Sequence, residues 1–147
     1  MNKSTTQVIR NATFYWAKLD NPVDPFGGGA AWEIQLRTED SSVAEQWADQ
    51  KQNVKKIEND DGVYYQVNLK RYAQSADGSK QYMPPSVVDG NKDRIADVST
   101  IGNGSKGHAK VYTYQWSRGG KSGWTSQFTA IQVTDLVEYT PEADIEF

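Results

Sequence analysis

Few residues in this chain have the types and spacing to do chemistry. Gly120-Lys121-Ser122 ends like a phosphate loop, in which successive backbone N–H groups wrap the phosphates of a nucleotide. That motif also needs a glycine five residues before Gly120, and Gln115 stands there. The residues on either side alternate like strands, so no helix follows to complete it. Asp89, Asn91 and Asp93 have the oxygen spacing that opens a calcium loop, but Arg94 replaces its turn-making glycine and Thr100 its bidentate glutamate. His108 is the single histidine and cysteine is absent, so neither a His/Cys metal set nor a Ser-His-Asp arrangement can be assembled. The pairs Glu39-Asp40 and Asp60-Asp61 lie in polar, turn-like contexts where nothing would raise a carboxyl pKa. Asn11-Ala12-Thr13 and Asn103-Gly104-Ser105 match glycosylation acceptors, which matter only in a secreted chain. No constellation argues for an enzyme, a metal or a cofactor.

A binding surface is better signalled. In "HAKVYTYQWSR" (108–118), period two puts His108, Lys110, Tyr112, Tyr114 and Trp116 on one face and Ala109, Val111, Thr113 and Gln115 on the other. The second set is small enough to pack inward, whereas burying the first would strand the Lys110 charge in the core. Flat rings and cations turned outward together suit single-stranded nucleic acid. Bases stack on rings for about 1–3 kcal/mol each while cations follow the phosphates. Tyr112, Tyr114 and Trp116 are the expected stacking platforms, with Trp124 as a further candidate. Lys106, Lys110, Arg118 and Lys121 are the expected phosphate contacts, and Lys70 and Arg71 would extend the groove.

Charge is divided in the same sense. Five of the 19 acids (Asp135, Glu138, Glu142, Asp144, Glu146) close the chain without a single base, leaving residues 1–134 with 16 bases against 14 acids. Residues 98–134 contain no acid at all. A basic stretch before an acidic end points to a polyanionic partner. Phe147 ends the acidic run, and a terminal ring is a poor way to keep a tail soluble but a good anchor in a partner's pocket. At 147 residues the chain has the length of one domain. It lacks the apolar stretch of a signal peptide or a membrane span, which leads us to expect a soluble, intracellular protein.

The elements that must position these residues are mostly strands. Segments 7–19, 31–38, 62–72, 107–117 and 124–139 read as β, with "RGGKSG" as a hairpin loop. One helix is expected over 43–54, from a capping box of Ser42 and Glu45 and an apolar face of Val43, Trp47 and Val54. Segment 75–93 reads as turns around a short extended piece, its paired prolines excluding a central strand. Phe14, Tyr15, Trp16 and Trp32 fit either the core or the groove, and the core is the reading preferred. Five curved strands and one helix make a small barrel of the oligonucleotide-binding (OB) type the natural candidate.

The segments "PVDPFGGGAAWEIQL", "MPPSVVDGNKD", "IGNGSKGHAKVYTYQW", "GGKSG" and "FTAIQVTDLVEY" resemble the phage-encoded single-stranded DNA-binding proteins of the OB-fold type. The likeness spans most of residues 9–139, and the closing "DIEF" is similar to the Phe-terminated acidic tails of single-strand binders. It implies an OB domain over 1–139 and a flexible tail over 140–147. It further implies sequence-tolerant binding of single-stranded DNA in phage replication and recombination, in the host cytoplasm at replicating DNA. Glu142, Asp144, Glu146 and Phe147 would recruit replication proteins such as polymerase, helicase or primase, and a homo-oligomer is compatible. An RNA-binding cold-shock-like barrel satisfies the same pattern, since stacking rings do not tell the sugars apart. So does a structural or assembly protein whose aromatic strands form an interface.

Overall fold

The computed structural model describes residues 4–23, 29–75 and 78–138. The acidic end from 140 onward lies outside the described residues. Seven strands and one α-helix follow in the order β1 (Ser4–Val23), β2 (Ala31–Thr38), α1 (Ser41–Asp49), β3 (Lys55–Asn59), β4 (Gly62–Tyr72), β5 (Ser86–Asp89), β6 (Ser105–Arg118) and β7 (Lys121–Asp135). Neighbours along the sheet run β3-β4-β2-β1-β6-β7-β5, and a parallel pairing of Lys70 with Gln127 joins β4 to β7. That pairing closes β1, β2, β4, β6 and β7 into a five-stranded barrel. The fold is mainly β, as the patterning implies.

Closure demands curvature, and β1 supplies it with three breaks of register, the last between Lys18 and Val23 and the first two single-residue bulges. Between Ile9 and Ala12 it spends three residues against two of β6, and between Tyr15 and Lys18 three against two of β2. Asn11 (φ 65°) and Trp16 (φ 54°) take the left-handed conformation there. Asparagine tolerates that region, whereas a bulky tryptophan is an outlier in it. Each bulge shifts the inward phase by one residue, so Ile9, Ala12, Phe14 and Leu19 all reach the core. Side chains take up the groups freed from the ladder. Asn11 N–H donates to His108 Nδ1 (3.2 Å), Trp16 N–H to Asn103 Oδ1 (2.8 Å), and Trp47 Nε1–H to the Arg10 carbonyl (3.0 Å).

The barrel is filled by Ile9, Phe14, Leu36, Val111, Phe128 and Ile131, all fully buried, and α1 covers one end with Ala44 and Trp47. Beneath α1 lies a polar knot. The Thr113 hydroxyl accepts from Gln7 Nε2 (3.0 Å) and Gln52 Nε2 (3.2 Å), which leaves its own proton for Ser126 Oγ (2.7 Å). With both buried partners satisfied, the knot avoids the penalty of about 1–3 kcal/mol for an orphaned group.

Several expectations need correction. The helix is capped by Asp40, whose carboxylate accepts from Ser42 N–H (2.9 Å) and Oγ (2.7 Å), and Glu45 is simply exposed. Those bonds hold the Asp40 pKa below its usual value. The helix stops at Asp49 rather than near Val54, because Lys51 turns left-handed (φ 68°). Lys51 and Gln52 then donate back to Ala48 and Trp47. Strand β3 was not expected; it forms a hairpin with β4 through the Asp60-Asp61 turn. The extended piece in 75–93 is β5, an edge strand just after Pro84-Pro85, running parallel to β7. The last strand ends at Asp135, four residues early. Phe14 and Trp32 are core and Tyr15 is half-buried, but Trp16 is 59% exposed, thrown outward by its bulge.

Gly107 marks the tightest approach in the barrel. A Cβ there would overlap the Gln132 carbonyl and press on the Phe14 ring. We expect Gly107→Ala to lower the unfolding free energy by about 3 kcal/mol, at the top of the overpacking range. Urea titration would measure this, and an unchanged midpoint would overturn the assignment.

Candidate nucleic-acid interface

Strand β6 keeps strict alternation over its whole length. The extra residues in its pairing with β7 all fall on β7, where Thr129 and Thr134 bulge and donate their hydroxyls to the Lys110 (3.3 Å) and Lys106 (3.2 Å) carbonyls. Ser105, Gly107, Ala109, Val111 and Thr113 are therefore buried, while Lys106, Lys110, Tyr112, Trp116 and Arg118 are exposed. Tyr114 and His108, on the same outer face, are half-buried.

The rings are held as well as displayed. Tyr112 and Tyr114 lie 5.6 Å apart between centroids, tilted by 31°. The Trp116 indole lies against Gly123, its partner on β7, where even one methyl group would strike it. Tyr112 and Trp116 remain 42% and 41% exposed, an unusual display of ring surface for side chains with no apolar cover.

The cations frame this row. Arg118 and Lys121 are the last pair of the hairpin, directly opposite one another across a Gly119-Gly120 turn in which both residues have positive φ (58° and 81°). Opposed like charges destabilise a pair unless an anion lies between them. Among the described residues, ion pairs join Lys56 to Glu58 and Lys70 to Glu33 (3.5 Å). None involves Lys106, Lys110, Arg118 or Lys121.

Three expected site residues are placed differently from that row. Lys70 reaches the outer surface beside Gln127, but it shares its charge with Glu33. Arg71 is half-buried at the end of β4 and donates its Nε–H to the Met83 carbonyl (2.9 Å). Trp124 pairs with Gln115 and so faces the Thr113 side of the hairpin, away from the aromatic row. There the Lys51 ammonium stands 6.0 Å from its ring centre. The four tail residues Glu142, Asp144, Glu146 and Phe147 lie outside the described residues. The calcium-like loop is an ordinary turn: the Asp89 carboxylate accepts from the Asn91 (2.9 Å) and Asp93 (3.0 Å) amides. Among the described residues, no three acidic, histidine or cysteine side chains are grouped to hold a metal.

Sequence reasoning missed Tyr72, Tyr82 and Gln127. With Arg71, Tyr112 and Thr129 they line an open groove of about 260 Å³ beside the β6 row. Tyr72 follows the basic pair Lys70-Arg71 and Tyr82 precedes Met83-Pro84-Pro85, so only their contact across the barrel seam brings them together.

Two phage proteins are among the solved structures that superpose on this chain. The single-stranded DNA-binding protein of bacteriophage Enc34, in complex with ssDNA, superposes with a TM-score of 0.65 at 10% identity, over 90% of this chain and 88% of that one. Gp2.5, the single-stranded DNA-binding protein encoded by bacteriophage T7, gives 0.59 at 16% identity, over 100% and 96%. The chain shares the fold of phage single-stranded DNA-binding proteins. No family model and no curated protein matches its sequence. Within this fold, the aromatic strand is β6, which pairs with β1 on one side and β7 on the other.

His108 ties that strand to the Asn11 bulge. Burial first, and the nearby Arg10 charge second, push its pKa below the usual 6.5. Since the folded value lies below the unfolded one, the unfolded chain binds the proton more readily. Stability is then lost as pH falls through 6.5 toward the folded value. Asp40 and Asp97, also lowered, titrate from about 3.8 downward and do not contribute in that window. We expect thermal melts to weaken between about pH 7 and 5, and His108→Gln to flatten that slope. Identical slopes in both proteins would rule the histidine out.

Proposed function

We propose that this chain binds single-stranded DNA without sequence preference and performs no catalysis. The observation that carries the reading is the outer face of β6, where three rings and three cations without an ion pair among the described residues lie in one line, with Lys121 opposite its end. Stacking on Tyr112, Tyr114 and Trp116 would use the flat face that every base presents, so it is indifferent to sequence. Lys106, Lys110, Arg118 and Lys121 would follow the phosphates. A duplex keeps its base faces stacked inward and would leave the rings unused. The neighbouring phage structures, one of them bound to ssDNA, support the same reading.

With four cations each neutralising one phosphate, the logarithm of affinity should fall with the logarithm of salt with a slope of about -3. Tryptophan fluorescence should be quenched by oligo-dT and not by a duplex of equal length. Replacing Tyr112 and Trp116 together by alanine should weaken binding by about 30-fold or more. A slope near zero, or an unaffected double variant, would remove DNA from this face. Equal or tighter binding of oligo-rU would assign the barrel to RNA instead, since the 2′-OH is the distinguishing handle.

Action in phage replication and recombination, in the host cytoplasm at replicating DNA, follows from the same proposal. Residues 140–147 would then act as a detachable ligand, Phe147 entering a pocket on polymerase, helicase or primase while Glu142, Asp144 and Glu146 meet its basic rim. Deleting 140–147 should leave melting unchanged, abolish capture of those enzymes, and modestly raise DNA affinity by removing a competing polyanion. Undiminished capture by the truncated chain would end the tail reading.

A further inference from the structure

Three of the large apolar side chains left exposed in the described residues gather at one place: Tyr72, Tyr82 and Tyr112. They come from β4, from the return after it, and from β6. The backbone holds Tyr82 at two points. Its own N–H donates to the Ala73 carbonyl (2.8 Å), and the next carbonyl, of Met83, accepts from Arg71 Nε (2.9 Å). The Tyr82 side chain is nevertheless 45% exposed, Tyr72 40% and Tyr112 42%. Among the described residues the three rings make no ring–ring contact with each other, and the groove of about 260 Å³ lies between them. Rings fixed by their backbones yet kept apart form walls without filling.

The floor has a defined polarity. Gln127 Oε1 accepts from Tyr72 N–H (3.2 Å), which turns the amide NH2 of Gln127 into a donor for whatever enters. Thr129 spends its proton on the Lys110 carbonyl (3.3 Å) and keeps acceptor capacity. At the rim Arg71 carries a positive charge, with guanidinium donors beyond the one used on Met83. Aromatic walls, an amide donor beneath and a cation at the edge fit a nucleotide, its base between the rings and its phosphate on the guanidinium.

We infer that this groove is a second nucleobase subsite, distinct from the β6 row, in which Tyr72 and Tyr82 hold one base of the bound strand. The inference rests on the single-stranded DNA reading and extends it. Tyr112 belongs to both places, so a strand following β6 from the hairpin tip turns at Tyr112 and crosses the barrel seam toward β4.

Oligo-dT carrying a single 5-iodo-deoxyuridine, moved along the strand, can be cross-linked to the full chain by light and the modified peptides identified by mass. Cross-links at Tyr72 or Tyr82 from one position, beside those on β6 from others, are expected. Tyr82→Ala should lower oligo-dT affinity about five-fold or more, and Tyr82→Phe should restore it, because the ring rather than the hydroxyl makes the wall. If the wild-type protein binds oligo-dT and the Tyr112→Ala, Trp116→Ala variant does not, while Tyr82→Ala binds normally and residues 72 and 82 stay unlabelled, the subsite is refuted and the β6 row stands. If the wild-type protein binds no single strand, both fall together.

Discussion

The structure turns on keeping one strand regular while everything around it bends. A closed five-stranded barrel needs local twist, and a bulge supplies it by breaking the alternation of the strand that carries it. Here the bulges belong to β1 and β7, the two neighbours of β6. Strand β6 keeps period two from Ser105 to Arg118, so every second side chain faces outward without a slip. Had one extra residue entered β6 near Val111, Tyr114 and Trp116 would have turned toward the core side and Gln115 outward. The irregularities of Asn11, Trp16, Thr129 and Thr134 therefore serve a surface to which most of them do not belong.

The supports of those irregularities are specific. His108 accepts the amide freed at Asn11, Asn103 the one freed at Trp16, and the two threonines on β7 close their own bulges with hydroxyl bonds. At the covered end of the barrel, α1 adds Trp47 to the first bulge, and Gln52, just beyond the helix, joins the Thr113 knot. The aromatic face and the polar knot are two sides of one strand: Thr113 points into the knot between Tyr112 and Tyr114, which point out.

How much of this was legible follows from the same contrast. Strand β6 has an unbroken alternation, and its inward and outward sets read directly from the sequence. On β1 the register breaks three times, which hid Trp16 among the core aromatics: nothing in "FYWAK" announces a tryptophan with positive φ. The helix stop was obscured because a lysine, not a glycine or asparagine, adopts the left-handed turn. Strand β3, only five residues long and with three charged side chains, offers too little apolar periodicity to be seen alone and exists by pairing with β4. The groove of Tyr72, Tyr82 and Tyr112 joins residues ten to forty apart in the chain, a proximity that only the β4–β7 closure creates.

The facing cations at the hairpin tip make it the part of the barrel least satisfied with itself. Arg118 and Lys121 repel across a turn of two glycines, which surrender more conformational freedom than any other residues when they are ordered. The free energy missing there is of the kind that an anion lying between the two cations would restore. In the free protein, hydrogen exchange would begin at 117–122 and reach the Val111–Phe128 pair last, a gradient of order running inward along one hairpin.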